Sequence, residues 1–314
     1  MSGSDLTLRF SQVDGATRAR LEAGCNFINH KIDELRWRVM LASGAAIAAA
    51  LIWWQASGID FRIPLGLAAA VILIATAWAK RVLARWYKTM VVQRVVAALG
   101  SGLTYQQASR LTREEFRAIN LFQERIDEWR SEDEIDGARN DVAFALHEVR
   151  AAKRERRGKH THTVVFFRGI VAVLEFNKHF HGHTVIVPDR EGKLLGLFGE
   201  ADSRRGKNIV HVADADFENA YAVYTTNDQE AHYLLTPKLV QLILQARSRF
   251  GDLRLAFYQN SLYVTIPSRE NRFEAGLFTR VTPESALAEL ADVAGLAEQL
   301  IDVLDLELRI WTRP

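Results

Sequence analysis

The sequence predicts an α+β fold: a two-helix transmembrane hairpin followed by a cytoplasmic domain with a mixed or antiparallel sheet and flanking helices. Three observations carry this prediction. Two uncharged runs lie near the N-terminus, a β-branched and aromatic run covers residues 163–176, and Thr-Pro pairs begin at Thr236 and Thr282. Threonine is a favourable helix N-cap and proline fits the first helical position, so helices as well as strands are expected in the second half of the chain.

The two uncharged runs, residues 39–59 and 63–79, are each long enough to span a bilayer as a helix. A hydrocarbon core about 30 Å thick requires roughly 17–25 helical residues. Charged residues stand at both ends of both runs, and tryptophans lie near those ends, where an aromatic ring meets apolar chains and water. The alternative is a buried helical hairpin of a soluble protein, which these flanks disfavour. We therefore expect the lipid bilayer to be one partner of this chain.

Lysine and arginine positions predict the orientation of the hairpin. Residues 18–38 before the first run hold five such residues and residues 80–94 after the second hold five, whereas the connector holds only Arg62. Because positively charged flanks remain on the cytoplasmic side, both termini are expected in the cytoplasm and the connector on the outer side of an inner membrane. The two sets are Arg18, Arg20, Lys31, Arg36 and Arg38 before the runs, and Lys80, Arg81, Arg85, Lys88 and Arg94 after them.

The chain is predicted to divide into four parts. Residues 1–36 form a cytoplasmic amphipathic helix, residues 37–81 the transmembrane hairpin, residues 82–130 membrane-proximal helices, and residues 131–314 the cytoplasmic α+β domain. The first part carries apolar residues at alternating spacings of four and three, which is typical of a helix seam. This seam packs either against the helix that follows the second run or against a second copy of the protein. Its members are Leu21, Cys25, Ile28, Ile32, Leu35 and Val39.

The C-terminal part shows patterns of both periods. Thr236 begins a predicted helix that Gly251 ends, and Thr282 begins another, whereas residues 103–129 are expected to be helical and residues 304–310 to form a final strand. These patterns do not decide whether the sheet closes into a barrel or stays open. The other predicted strands cover residues 141–148, 163–176, 184–187, 194–198, 209–212 and 220–225, with a hairpin over residues 253–266.

Four stretches of the sequence carry a family resemblance. They are residues 132–137 (EDEIDG), residues 167–169 with 175–178 (FRG, EFNK), residues 231–237 (AHYLLTP) and the ending from Leu304 to Trp311. In this order they resemble the bacterial family catalogued as Domain of Unknown Function 3137, which has two N-terminal membrane helices and a cytoplasmic module. The resemblance covers roughly residues 80–314 and the anchor pattern. It implies no catalytic residues to carry over, and it implies a LemA-type membrane protein as a partner.

Five of the nine histidines cluster between residues 160 and 183. If His179, His181 and His183 occupied alternate positions of one strand, their imidazoles would share a face and could bind Zn²⁺. The sequence places no acidic or cysteine ligand at a tight spacing beside them, so an exposed polar turn is the competing interpretation. A metal site here would support a metal-dependent hydrolase that uses the His160–His183 cluster.

The strongest charge feature of the sequence is the run from Arg150 to Lys159, with six cations and one acid. It is interpreted either as a solvated loop between strands or as a surface for anionic lipid headgroups or a partner. Nucleic acid is not expected as a partner, because the net charge is only +2 and the run has no interleaved aromatic residues. The six cations are Arg150, Lys153, Arg154, Arg156, Arg157 and Lys159.

A further group of acidic and amide side chains either forms a polar site or caps turns. Its members are Glu132, Asp133, Asp136, Glu175 and Asn177. Hydrophobic residues make up 48% of the chain, which excludes a disordered protein, and its single cysteine excludes an intramolecular disulfide. Because no nucleotide-binding or nucleophile motif is present, no cofactor is expected. The sequence indicates a non-catalytic adaptor or scaffold that binds a protein partner, itself or anionic lipid, with the metal-dependent hydrolase as the alternative.

Overall fold

A computed structural model describes residues 15–58, 60–99, 102–158, 160–189, 208–268 and 274–308. The chain forms two compact units. The first comprises Met1–Ser101 and Arg272–Leu290, and the second comprises Gly102–Asn271 and Ala291–Pro314. The predicted division into four functional parts stays a prediction.

The first unit is built on a pair of long helices. Helix α1 covers Gly15–Ser57, and α2 (Arg62–Tyr87) continues through a π-helical turn (Lys88–Val92) into α3 (Gln93–Leu99). Both helical segments are long and apolar enough to cross a membrane, and no residue of the most apolar window of α1 is buried. This exposure does not fit the alternative of a hairpin buried in a soluble core. The helix pair is consistent with membrane anchoring.

The N-terminal half of α1 packs against the end of α2 and its continuation. This is the first of the two predicted interpretations of the helix seam, in which the seam packs within one chain. Leu21, Ile28 and Ile32 are fully buried, and so are Leu83 and Val91. The two backbones lie close together at Gly24, where a Cβ atom would be only 2.4 Å from the Met90 carbonyl oxygen. The seam is thus covered by the chain's own second helix, which leaves little of it for self-association.

The second unit contains a nine-stranded antiparallel sheet with the order β1-β2-β3-β4-β9-β8-β5-β7-β6. Strands β1 and β6 lie at its two edges, so the sheet is open across the described strands. The strands are β1 (Thr104–Ala108), β2 (Glu128–Arg139), β3 (Val142–Arg157), β4 (His160–Glu175), β5 (Thr184–Pro188), β6 (Asn208–Val210), β7 (Tyr221–Thr225), β8 (Arg254–Tyr258) and β9 (Ser261–Pro267).

Short helices with clear caps connect and cover the strands. They are α4 (Arg113–Ala118), α5 (Ala215–Ala220), α6 (Asp228–Leu234), α7 (Pro237–Phe250) and α8 (Pro283–Leu308), the last contributing residues to both units. The predicted α7 is confirmed: the Thr236 side chain accepts a hydrogen bond from Leu239 N, and Gly251 ends the helix with φ of 87°.

Two predicted elements are wrong. Residues 103–129 are not one helical region, because Thr104–Ala108 forms the edge strand β1 and only Arg113–Ala118 is helical before β2 begins. Residues 304–308 are helical rather than extended, since Leu300 and Leu304 repeat at a helical spacing and both are buried. The predicted strand over residues 194–198 and the ending beyond residue 308 lie outside the described residues.

An aromatic cluster on one face of the sheet fixes α4 in place. The Phe116 ring lies 5.0 Å from Trp129 and 5.8 Å from Phe167, measured between centroids. Phe116 is 2% exposed and belongs to the main hydrophobic core of this unit. This packing holds the β1–α4 segment over the sheet and thereby positions the polar residues between them.

Candidate functional site

A β-bulge at Asp133 creates the most unusual polar region of the second unit. Glu132 pairs with Glu148 and Glu134 pairs with His147, which leaves Asp133 as the extra residue of β2. Asp133 has φ of 49°, a left-handed conformation that aspartate tolerates better than most residues. Side chains of neighbouring strand residues normally point to opposite faces, but here both Asp133 and Glu134 are completely buried.

Arg110 holds the buried Glu134 carboxylate. The Arg110 backbone amide donates to Oε2 at 2.6 Å, and its Nε donates to Oε1 at 2.5 Å. The same guanidinium pairs with Asp136 and has 67% of its side chain exposed. Burial by itself raises the pKa of Glu134, but the donations from Arg110 outweigh it and leave the pKa below its ordinary value. Glu134 is therefore an ionised carboxylate inside the fold.

His147 lies beside this carboxylate and is hydrogen-bonded to one of a pair of serines. Its Nδ1 is 2.9 Å from Ser109 Oγ and 3.3 Å from Glu134 Oε2, and Ser131 donates to Ser109 at 2.7 Å. Burial lowers the pKa of His147 to about 4, so the imidazole is neutral at pH 7. In a catalytic triad the acid and the nucleophile contact opposite ring nitrogens, whereas here both contact Nδ1. The arrangement is a structural network rather than an activated serine.

The bulge residue has its own partner on the edge strand. The Tyr105 hydroxyl of β1 donates to Asp133 Oδ1. Burial first, and then the nearby Asp133 charge, raises the pKa of Tyr105 above its ordinary value. This bond ties the edge strand to the point at which β2 is irregular.

A cavity of about 350 Å³ opens beside the network. Arg110, Asp136 and His147 form one part of its lining, and Glu115, Glu175 and Tyr263 contribute further polar groups. Three carboxylates thus face the cavity. Two of these carboxylates already accept hydrogen bonds, Asp136 from Arg110 and Glu115 from the Thr112 amide.

The predicted polar candidates are partly brought together. Asp136 and Glu175 line this cavity, whereas Asp133 is buried in the bulge and is not part of the lining. Glu132 accepts from Arg130 Nη2 at 3.0 Å on the same strand, and Asn177 is exposed in the turn after β4. Arg110, Glu134 and His147 were missed as members of a site, because a bulge has no signature in the alternation of residue types.

The basic run lies on a strand and not in a loop, contrary to one of its two predicted interpretations. Residues Arg150 to Arg157 belong to β3. Strand β2 pairs with β3 only as far as Ala152, and β9 pairs with β4 only from Gly169 onward. Residues 153–157 and 160–164 therefore pair only with each other among the described strands, and we call them the basic arm.

Acidic residues neutralise part of the charge at the basic arm. Arg150 and Arg154 reach Glu128 at 3.5 and 3.2 Å, and Lys153 reaches Glu155 at 2.8 Å. Lys159 and the Arg157 side chain lie outside the described residues, whereas Arg156 is exposed and donates to the Gly158 carbonyl at 3.4 Å. Ion pairs at the surface contribute little stability. Because they neutralise only part of the charge, the sequence of the basic arm keeps an excess of positive charge.

The histidine segment does not form the strand that a shared face required, and it fits the competing interpretation as a turn. His179, His181 and His183 lie in the connection between β4 and β5 and not on a strand. His183 Nε2 is 2.9 Å from the Ile119 carbonyl oxygen, and its ring lies 4.8 Å from that of Tyr258. Within the described parts of the chain, no three His, Cys, Asp or Glu residues are grouped closely enough to hold a metal ion.

The comparisons with known proteins concern mainly the second half of the chain. The model of the family "Protein of unknown function (DUF3137)" matches residues 165–306, which confirms the predicted resemblance over that range. The crystal structure of the mycobacterial trehalose monomycolate transport factor A, TtfA, has 13% sequence identity and a TM-score of 0.36, and the match covers 64% of this chain and 86% of that chain. A likeness this low supports no conclusion about fold or function. No curated protein matches the chain.

Replacing Arg110 by methionine is expected to destabilise the second unit strongly. The fully buried Glu134 carboxylate would lose its cationic partner, and a buried charge without a partner is strongly destabilising. Denaturant titration of the full-length protein in detergent measures this loss. The control is Arg113→Met, because Arg113 pairs with the exposed Glu114. Equal stability of the two variants would contradict the assigned role of Arg110.

His147 is expected to make the protein less stable in acid. Its folded pKa of about 4 lies below the ordinary 6.5, so the unfolded chain binds the proton more readily. The contribution is therefore complete above about pH 6.5 and is lost as the pH falls towards 4, for a total of about 3 kcal/mol. His147→Gln should flatten this part of the stability profile relative to the wild type. Parallel profiles of the two proteins would show that His147 does not titrate this way.

Proposed function

We propose that this protein is a non-catalytic adaptor anchored in the bacterial inner membrane by α1 and α2, with both termini in the cytoplasm. The single observation that carries the proposal is the apolar, exposed surface of two long helices joined to a separate α+β unit. The lysine and arginine bias supports the orientation. As protein partners of this adaptor we propose a LemA-type membrane protein or a second copy of the chain.

The geometry around His147 supports a binding role rather than a catalytic one. Ser109 and Glu134 both approach Nδ1 of His147. A histidine that takes a proton from a serine needs the serine on one ring nitrogen and the carboxylate on the other, and this arrangement is not present here. Among the described residues no three His, Cys, Asp or Glu residues are grouped closely enough to hold a metal ion, so we keep the metal-dependent hydrolase as the alternative and propose the adaptor.

The basic arm is the surface we assign to anionic lipid headgroups. It extends beyond the strands that flank β3 and β4, and it carries Lys153 and Arg156 beside the exposed Val164. A strip that combines cations with exposed apolar side chains matches the boundary between headgroups and acyl chains. Attraction of this kind weakens when salt screens the charges.

Cysteine labelling of intact spheroplasts tests the anchor and its orientation. The native Cys25 is 1% exposed, and burial raises its pKa to about 11, so this thiol reacts slowly at neutral pH. With Phe61→Cys in the connector, a membrane-impermeant maleimide should label the full-length protein from outside. Arg18→Cys should be labelled only after lysis. Labelling of Arg18→Cys in intact cells, or recovery of the wild type in the soluble fraction, would contradict the proposal.

Charge reversal in the basic arm is expected to release it from anionic lipid. We place a fluorophore at Thr161→Cys in the full-length protein in nanodiscs that carry nitroxide headgroups. Quenching should be stronger with phosphatidylglycerol than with phosphatidylcholine, and Lys153→Glu with Arg156→Glu should abolish the difference. The control variant, Arg113→Glu with Lys238→Glu, changes the net charge by the same amount and should leave the difference in quenching unchanged. Quenching that does not depend on lipid charge would exclude this role of the arm.

A further inference from the structure

A loop within the first unit is held firmly against α1. Asn29 forms two hydrogen bonds with the backbone of Val281: its amide nitrogen donates to the carbonyl at 2.8 Å, and its carbonyl oxygen accepts from the amide at 2.9 Å. Arg280 pairs with Asp33 at 3.3 Å, and Leu277 is only 3% exposed. These contacts fix the position of the residue between them, Phe278.

Phe278 nevertheless has 77% of its surface exposed, more than any other large hydrophobic side chain among the described residues. Its ring lies 5.3 Å from the Arg36 guanidinium carbon, a cation–π arrangement that keeps the ring beside a positive charge. Exposing a phenylalanine to water forfeits about 1.5–3 kcal/mol of burial. A fixed loop with such a residue at its tip indicates surroundings that are not purely aqueous.

A groove of about 320 Å³ runs between this loop and the two long helices. Its walls include Trp37, Met40, Leu277 and Phe278, and its lining also holds Arg36 and Asp33, whose charged groups lie 3.7 Å apart. The groove lies where the uncharged runs end: Met40 is the second residue of the first run, and Thr76, also in the lining, precedes Lys80 by four residues. In a membrane-anchored hairpin this is the level at which headgroups meet acyl chains.

We infer that the groove holds one phospholipid of the cytoplasmic leaflet and that the exposed Phe278 side chain is inserted into the bilayer beside it. The phosphate is recognised by Arg36, and the upper part of an acyl chain lies against Trp37 and Phe278. A phospholipid suits this lining, because its anionic phosphate suits the Arg36 guanidinium and its chain suits the apolar wall. The inference rests on the proposed membrane anchoring.

Depth-dependent quenching tests the insertion. Phe278→Cys carries a fluorophore in the full-length protein in nanodiscs, and its exposure makes the substitution safe for folding. We expect nitroxide groups near the headgroup and the upper acyl chain to quench it strongly, with protection from aqueous iodide. The control is Arg18→Cys, because Arg18 precedes Arg36 by roughly 27 Å along α1 and so lies further from the apolar run. Iodide quenching of both labels with no quenching by lipid nitroxides would overturn the inference.

Phospholipid retention tests the groove. After the protein is washed in detergent, native mass spectrometry should find one bound phospholipid on the wild type and on Arg18→Gln, and a loss of that species on Arg36→Gln. Equal retention by all three proteins overturns the inference. A failure of the anchoring itself is seen separately, because Phe61→Cys would then not be labelled from outside the spheroplast.

Discussion

The apolar surface of α1 and α2 is the constraint on which the arrangement of the first unit depends. Trp37, Leu51 and Leu73 are 60%, 55% and 69% exposed, and many neighbours are similar. Each large apolar side chain left in water forfeits about 1.5–3 kcal/mol, so this surface requires an apolar medium. The large buried side chains of the same two helices, such as Leu21, Ile28 and Leu83, lie before the first apolar run and after the second, whereas the buried residues within the second run are the small Pro64, Ala68 and Ala79. The helix pair therefore uses protein packing at one end and leaves its other end exposed, which is consistent with membrane anchoring.

Burial of a charge is the corresponding constraint in the second unit. The bulge at Asp133 turns two successive acidic side chains inward, and the fold accommodates them with Tyr105 and Arg110 from the preceding segment. A buried carboxylate is tolerated only when donors replace the water that it has lost. The short segment β1–α4 is therefore held by polar contacts on one side and by the Phe116 cluster on the other. Arg110, the partner of Glu134, also lines the adjacent cavity.

Local signals in the sequence were sufficient for elements that depend on neighbouring residues. The helix after Thr236 follows from its cap, its proline and Gly251, and the long strand around residues 163–176 follows from its β-branched composition. Elements that depend on distant partners were misjudged. Thr104–Ala108 becomes a strand because β2 supplies its hydrogen bonds, and the basic run becomes a strand because β4 pairs with it. Glu134 could not be assigned to a site, since its burial depends on one extra residue in β2.

The sequence by itself determined the two apolar helices, their expected orientation and the α+β character of the rest, because length, charge and periodicity act over a few residues. Tertiary structure decided the open antiparallel order of the sheet and the pairing of Arg110 with Glu134 across 24 positions. It also decided the approach of Phe278 to Arg36, residues that lie far apart in the chain. These features depend on which distant segments meet, and such contacts form only once loop closure has been offset by burial and hydrogen bonding.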